Sequence, residues 1–159
     1  MRQFDVKSQK EINGNRFYIR PLPAFKCANL SGELASLIVP VLTSVAPLIG
    51  SNADIGSVMD MQAEKIAPHL AGGLSALSGD RVEALLKKLL TTYRNVAVEI
   101  EGGKDAQDLT DDLADEVFCG EVQDMFILAV EVIKVNFSGF FKKLGPLFGG
   151  RLAEILDKM

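Results

Sequence analysis

The sequence is poor in the residues that most chemistry uses. It has one histidine, His69, and two cysteines, Cys27 and Cys119. A single imidazole with no cysteine or second histidine nearby does not make a zinc site, so His69 reads as an ordinary surface or core residue. The cysteines form no C-x-x-C pair and sit among apolar residues. They read as buried free thiols in a reducing compartment rather than as a disulfide. No G-x-x-x-x-G-K-[ST] loop occurs, so Gly72-Gly73 reads as a helix stop and not as a phosphate cradle. The opening residues, MRQFDVKSQK, lack the apolar core of a signal peptide, which predicts a cytoplasmic protein. Positive charge is not in excess. The net charge of −4 and pI near 5.0 argue against nucleic-acid binding. Repeats, low-complexity tracts and a catalytic constellation are all missing, and no cofactor is expected.

What is present is apolar. Of 159 residues 48% are hydrophobic and 24% charged, enough for one domain with a real core. The charge is split along the chain. Residues 1–26 carry six Lys/Arg and two Asp/Glu, whereas residues 99–124 carry one Lys and ten Asp/Glu. Such an asymmetry suits head-to-tail self-association, with Arg16, Tyr18 and Arg20 on one side and Asp108, Asp112 and Asp115 on the other.

Residues 2–20 predict a β-hairpin around Asn13-Gly14-Asn15. Phe17 and Ile19 point to one face with Phe4 and Val6 beside them; Arg16, Tyr18 and Arg20 point to the other. Pro21 and Pro23 open a helix with Phe25, Leu30, Leu34, Leu37 and Ile38 at core positions. Leu34 to Ala53 carries no charge and is long enough to span a bilayer. Pro40, Pro47, the hydroxyl residues and the lack of a basic flank favour a kinked pair of buried helices instead. A helix over 54–78 would bury Ile55, Met59, Ile66 and Leu70. Another from Asp80 to Tyr93, with Asp80 as N-cap, would bury Val82, Leu85, Leu86, Leu89 and Leu90. Residues 95–101 alternate as a short strand that could pair with the hairpin.

Residues 105–119 predict an acidic helix with Asp108, Asp112 and Asp115 on one outer face. With Glu121 and Asp124, such carboxylates could hold a divalent metal in an all-α nucleotide hydrolase. A solvated acidic face is the preferred reading. Gly120 to Phe148 is the longest strongly apolar stretch. As a helix it sets Val122, Phe126, Ala129, Val130, Ile133, Phe137 and Phe140 along a broad stripe, widened by Met125, Leu128, Val132 and Val135. A rod so apolar must be enclosed by its own fold or a partner. Phe137, Phe140, Phe141, Leu144 and Phe148 are the candidate partner contacts, although a core role for these phenylalanines is favoured. The expected fold is mostly α, of the α+β class: one domain with a hairpin at 2–20, a helical body at 23–148 and a short helix at 149–159.

Two stretches resemble the tail assembly chaperones of long-tailed bacteriophages. One is Phe17-Tyr18-Ile19-Arg20-Pro21-Leu22-Pro23-Ala24-Phe25, leading into a helix with Leu30, Gly32 and Leu34. The other is Val117-Phe118-Cys119-Gly120 and the apolar helix that closes in Asn136-Phe137-Ser138-Gly139-Phe140-Phe141. The Asn95-Val96 strand belongs to the same pattern. The resemblance implies a small, non-catalytic, helical protein of the infected host's cytoplasm. It implies binding to the aggregation-prone tape measure protein before the tail tube polymerises, and absence from the finished virion. In many such phages a frameshift appends a domain that recruits the tube protein. Neither nucleic acid nor membrane is an expected partner, and a homo-oligomer is.

Overall fold

A computed structural model describes residues 8–34, 62–75, 77–100, 103 and 105–137. Among these are four strands and five helices, an α+β protein that is mostly helical. The hairpin comes first. β1 (Ser8–Ile12) pairs antiparallel with β2 (Asn15–Ile19). Asn13 and Gly14 both have positive φ, 52° and 84°. That is the turn geometry whose twist matches two paired strands, and it explains why Asn-Gly stands here. β3 (Val96–Glu99) adds to the free edge of β2, and β4 (Gln107–Asp108) adds to β3. The strand expected at 95–101 therefore forms and pairs with the hairpin, Ile19 opposite Val96 and Phe17 opposite Val98. Beyond β3, Gly103 N–H donates to Ile100 O at 2.7 Å. A Cβ on Gly103 would lie 2.9 Å from that oxygen, so a side chain there would push the two apart.

Alternation gives the sheet two unlike faces. Phe17, Ile19, Val96 and Val98 are fully buried on the inner face. Helices cover that face: α1 over 24–34, α2 (Ala63–Leu74), α3 (Gly79–Leu90), α4 (Asp111–Val117) and α5 over 122–137. α5 fills the centre, with Leu128, Ala129, Val130, Val132, Ile133 and Phe137 all at 7% exposure or less. Burying a side chain of this size contributes roughly 1.5–3 kcal/mol, so the α5 stripe and the sheet together dominate the core. Ile66 and Leu70 are buried on α2, and Leu85, Leu89 and Leu90 on α3, as their spacing predicts.

Five expectations are corrected. The cysteines are free but not buried: Cys27 is half-buried and Cys119 exposed, at the turn that follows Phe118. Phe25 is not core; it is 90% exposed. The inward positions of α1 are Cys27, Leu30 and Leu34, and at about 100° per residue Phe25 lies roughly 140° from Leu30. Asp80 is not the N-cap of α3. Ser78 is, with extended backbone and a hydroxyl that accepts from Arg81 N–H, while Asp80 sits in the first turn. Residues 105–119 are not one acidic helix. Gln107–Asp108 is strand, Leu109 N–H donates to Val96 O at 2.9 Å, and α4 starts only after Thr110, whose hydroxyl accepts from Leu113 N–H. Sheet pairing satisfies the backbone of 107–109 and buries Leu109, which outweighs the helical preference of the acidic run. Val122, expected in the α5 core stripe, is 58% exposed.

The expected Phe4 and Val6, Leu37 and Ile38, the uncharged stretch after Leu34, Ile55, Met59 and the 149–159 helix lie outside the described residues. Within them, no helix is long and apolar enough to cross a membrane.

Candidate functional site

The sheet's outer face carries Arg16, Tyr18, Arg20 and Asp108. Tyr18 donates its hydroxyl to Glu99 Oε2 at 2.6 Å. The Arg20 guanidinium reaches Asp108 Oδ1 at 3.7 Å. Arg16 stands opposite Glu99 on the neighbouring strand, and Tyr18 first, then Glu99, hold its guanidinium above the ordinary value. Much of the basic-to-acidic attraction read from the sequence is thus met inside one chain. Lys10, also from the basic stretch, pairs with Glu64 instead. Asp112 and Asp115 are exposed on α4, on a different element from Asp108.

That separation bears on the hydrolase alternative. Asp108 leaves the α4 face, Asp111 engages Thr91 and Lys87, and Asp124 lies near Asn13 of the hairpin turn. Burial first, then Glu121, pushes the Asp124 carboxyl above its ordinary value. Among the described residues no three His, Cys, Asp or Glu side chains converge as a metal site would require. The cleft of about 680 Å³ between the end of α3 and the start of α4 is lined by Thr91, Thr92, Arg94 and three aspartates. Within it the Thr91 hydroxyl donates to Asp111 Oδ1.

A second concavity, of about 440 Å³, is different in kind. It is a groove between α3, α4 and α5. Val82, Leu86 and Leu90 line it from α3, Ala114 from α4, and Val122, Met125 and Phe126 from α5. Glu83, Lys87, Asp111 and Asp115 form its rim. Lys87 bridges Glu83 at 3.0 Å and Asp111 at 3.6 Å, and these two carboxylates, Glu83 first, hold its ammonium above the ordinary value. An apolar floor with a charged rim is a form that protein-recognition grooves also take.

The sequence marks these floor residues as apolar but not as uncovered. The available signal is the width of the α3 arc. Leu85 and Leu89 are buried, leaving Val82 and Leu86 half exposed on a flank that α4 and α5 only partly cover. Of the expected partner contacts, Phe137 is 1% exposed and sits in the core; Phe140, Phe141, Leu144 and Phe148 lie outside the described residues.

The stretches that carry the family resemblance meet in space. Phe17 stacks on Phe118 with centroids 5.7 Å apart. Leu22 N–H donates to Asn136 Oδ1 at 2.7 Å across 114 residues of sequence. Arg20 N–H donates to Asn95 O at 2.8 Å. Distant motif residues thus form one structural joint. No curated protein and no solved structure matches the chain significantly. The family model described as "Phage tail assembly chaperone protein, TAC" matches residues 13–150. This match spans most of the chain and contains both motifs and the groove: the chain belongs to the phage tail assembly chaperone family.

Proposed function

We propose that this chain binds the tape measure protein of its phage and keeps it soluble in the host cytoplasm until the tail tube forms, without catalysing a reaction. The observation that carries the reading is the apolar groove between α3, α4 and α5, with Val122 left 58% exposed in it. A holdase must show apolar surface to an apolar guest and keep charge around it for solubility. The groove offers both, since acidic Glu83, Asp111 and Asp115 outnumber Lys87 on its rim. Such a groove receives an amphipathic helix through anchors spaced three and four residues apart. Self-association belongs to the same reading, because a long guest needs many copies. So does release before the virion is complete, and so does a frameshifted form that would recruit the tube protein.

Co-expression with the tape measure protein tests this. The expected result is a soluble complex recovered on a tag placed on the chain, with the tape measure protein insoluble when expressed alone. A tape measure protein that stays insoluble and uncaptured in the presence of this chain would overturn the reading.

A further inference from the structure

Four charged side chains line the apolar groove, Glu83 and Lys87 from α3 and Asp111 and Asp115 from α4. Three of them are engaged with one another. Lys87 lies 3.0 Å from Glu83 and 3.6 Å from Asp111, and Asp111 also accepts from the Thr91 hydroxyl. Asp115 is the remainder. It is exposed and, among the described residues, has no ion-pair partner. Its own helix offers no relief, because α4 reads DDLADEV and its exposed side chains are all carboxylates.

Helical spacing sets this arrangement. Asp111, Ala114 and Asp115 recur at i, i+3 and i+4, so one strip of α4 lines the groove. Glu116 lies roughly 100° further round the helix and does not line it. On the opposite side α5 supplies Val122, Met125 and Phe126 at the same spacing, without a charge. The groove therefore has an apolar wall on α5, a wall on α3 whose charges are met, and a negative wall on α4 whose charge at Asp115 is not.

We infer that the groove selects an amphipathic helix whose apolar stripe is bordered by lysine or arginine, with the basic side chain paired to Asp115. α3 lines the groove from Gly79 to Thr91, about 18 Å at 1.5 Å per residue, so the bound helix has about three turns. A basic border gains attraction while its charged head stays in water. An acidic border meets like charge beside an apolar floor, and Lys87 cannot relieve it because that ammonium already serves two carboxylates. Selection thus works by rejecting the wrong helix as much as by holding the right one. A charge at the rim also governs the rate of encounter and its salt dependence. Identifying the selected helix as a segment of the tape measure protein rests on the proposed function.

The test is titrated capture of the tape measure protein by wild type and four variants, at low and high salt, with circular dichroism confirming each fold. All substitutions fall on exposed positions. Asp115→Asn is expected to capture about threefold more weakly at low salt and Asp115→Lys about tenfold, the scale of a lost and then a reversed rim charge. High salt should shrink both differences. Glu116→Lys makes the same charge change on the same helix outside the groove, and it is expected to capture as wild type does. Val122→Lys blocks the floor and should lose capture. Undiminished capture by D115K, or an equal loss in E116K, would overturn the charge selection and leave the proposed function standing. Full capture by V122K would remove the groove as the guest site and the inference with it. Failure of wild type to capture the guest at either salt would instead bring down the proposed function itself.

Discussion

Asn136 shows how one side chain can hold two distant parts of a fold. Its Oδ1 accepts from Leu22 N–H at 2.7 Å, and its Nδ2 donates to Val132 O at 3.0 Å within α5. Leu22 is 5% exposed, so its N–H has no ready access to water. Asn136→Ala would orphan that donor, and the expected loss is about 1–3 kcal/mol in urea unfolding. Asp124 works the other way. Its carboxyl is held above the ordinary value, mainly by burial and then by Glu121, so ionisation is harder in the folded chain than in the unfolded one. The sign follows from linkage: this penalty is present at neutral pH, and it fades as pH falls through the raised value and then the unfolded one. Asp124→Asn removes the charge at nearly the same side-chain size. It is expected to unfold at the same or a higher temperature than wild type at pH 7, with the difference shrinking in acid. A variant clearly less stable at neutral pH would contradict this account.

At the scale of elements, the short α4 depends on how it starts. Seven residues cannot hold a helix on their own, since nucleation is costly and few bonds follow. Thr110 caps it by accepting from Leu113 N–H at 3.2 Å, Asp111 and Asp112 favour the positive end of the dipole, and Ala114 packs inward. Thr110→Ala should cost about 1 kcal/mol. Because α4 forms one wall of the groove, the same change should also loosen guest capture, which a matched pull-down would show. The element before it teaches a related point. Asp108 shares the acidic run with Asp112 and Asp115, yet pairing with β3 draws it onto the sheet beside Arg20. Neighbours in sequence with the same charge end in different settings because one segment completes a sheet edge and the next is capped as a helix.

On the scale of the whole molecule, the core and the groove are built from the same helices but answer to different demands. α3 and α5 each bury one side and leave part of the other uncovered, at Val82, Leu86, Val122, Met125 and Phe126. Val122→Ser should therefore leave the unfolding free energy within about 0.5 kcal/mol of wild type, as for surface positions, while weakening guest capture. Parallel loss of stability and capture would instead place Val122 in the core.

The hairpin, its Asn13-Gly14 turn, the third strand, the α3 face and the α5 stripe were legible in the sequence, because each is written in local periodicity or local turn chemistry. The motif residues that resemble the family were legible too, at Phe17, Leu22, Asn95, Phe118 and Asn136, but not as one joint. What the sequence could not decide was coverage. Periodicity says that Phe25 and Val122 are apolar; only packed neighbours decide that they face outwards while Phe137 faces in. It could not settle β4 either, since a two-residue strand exists only because β3 presents an edge for it. Local pattern determines the elements, whereas burial and edge pairing join residues far apart in the chain, and those are properties of the folded arrangement alone.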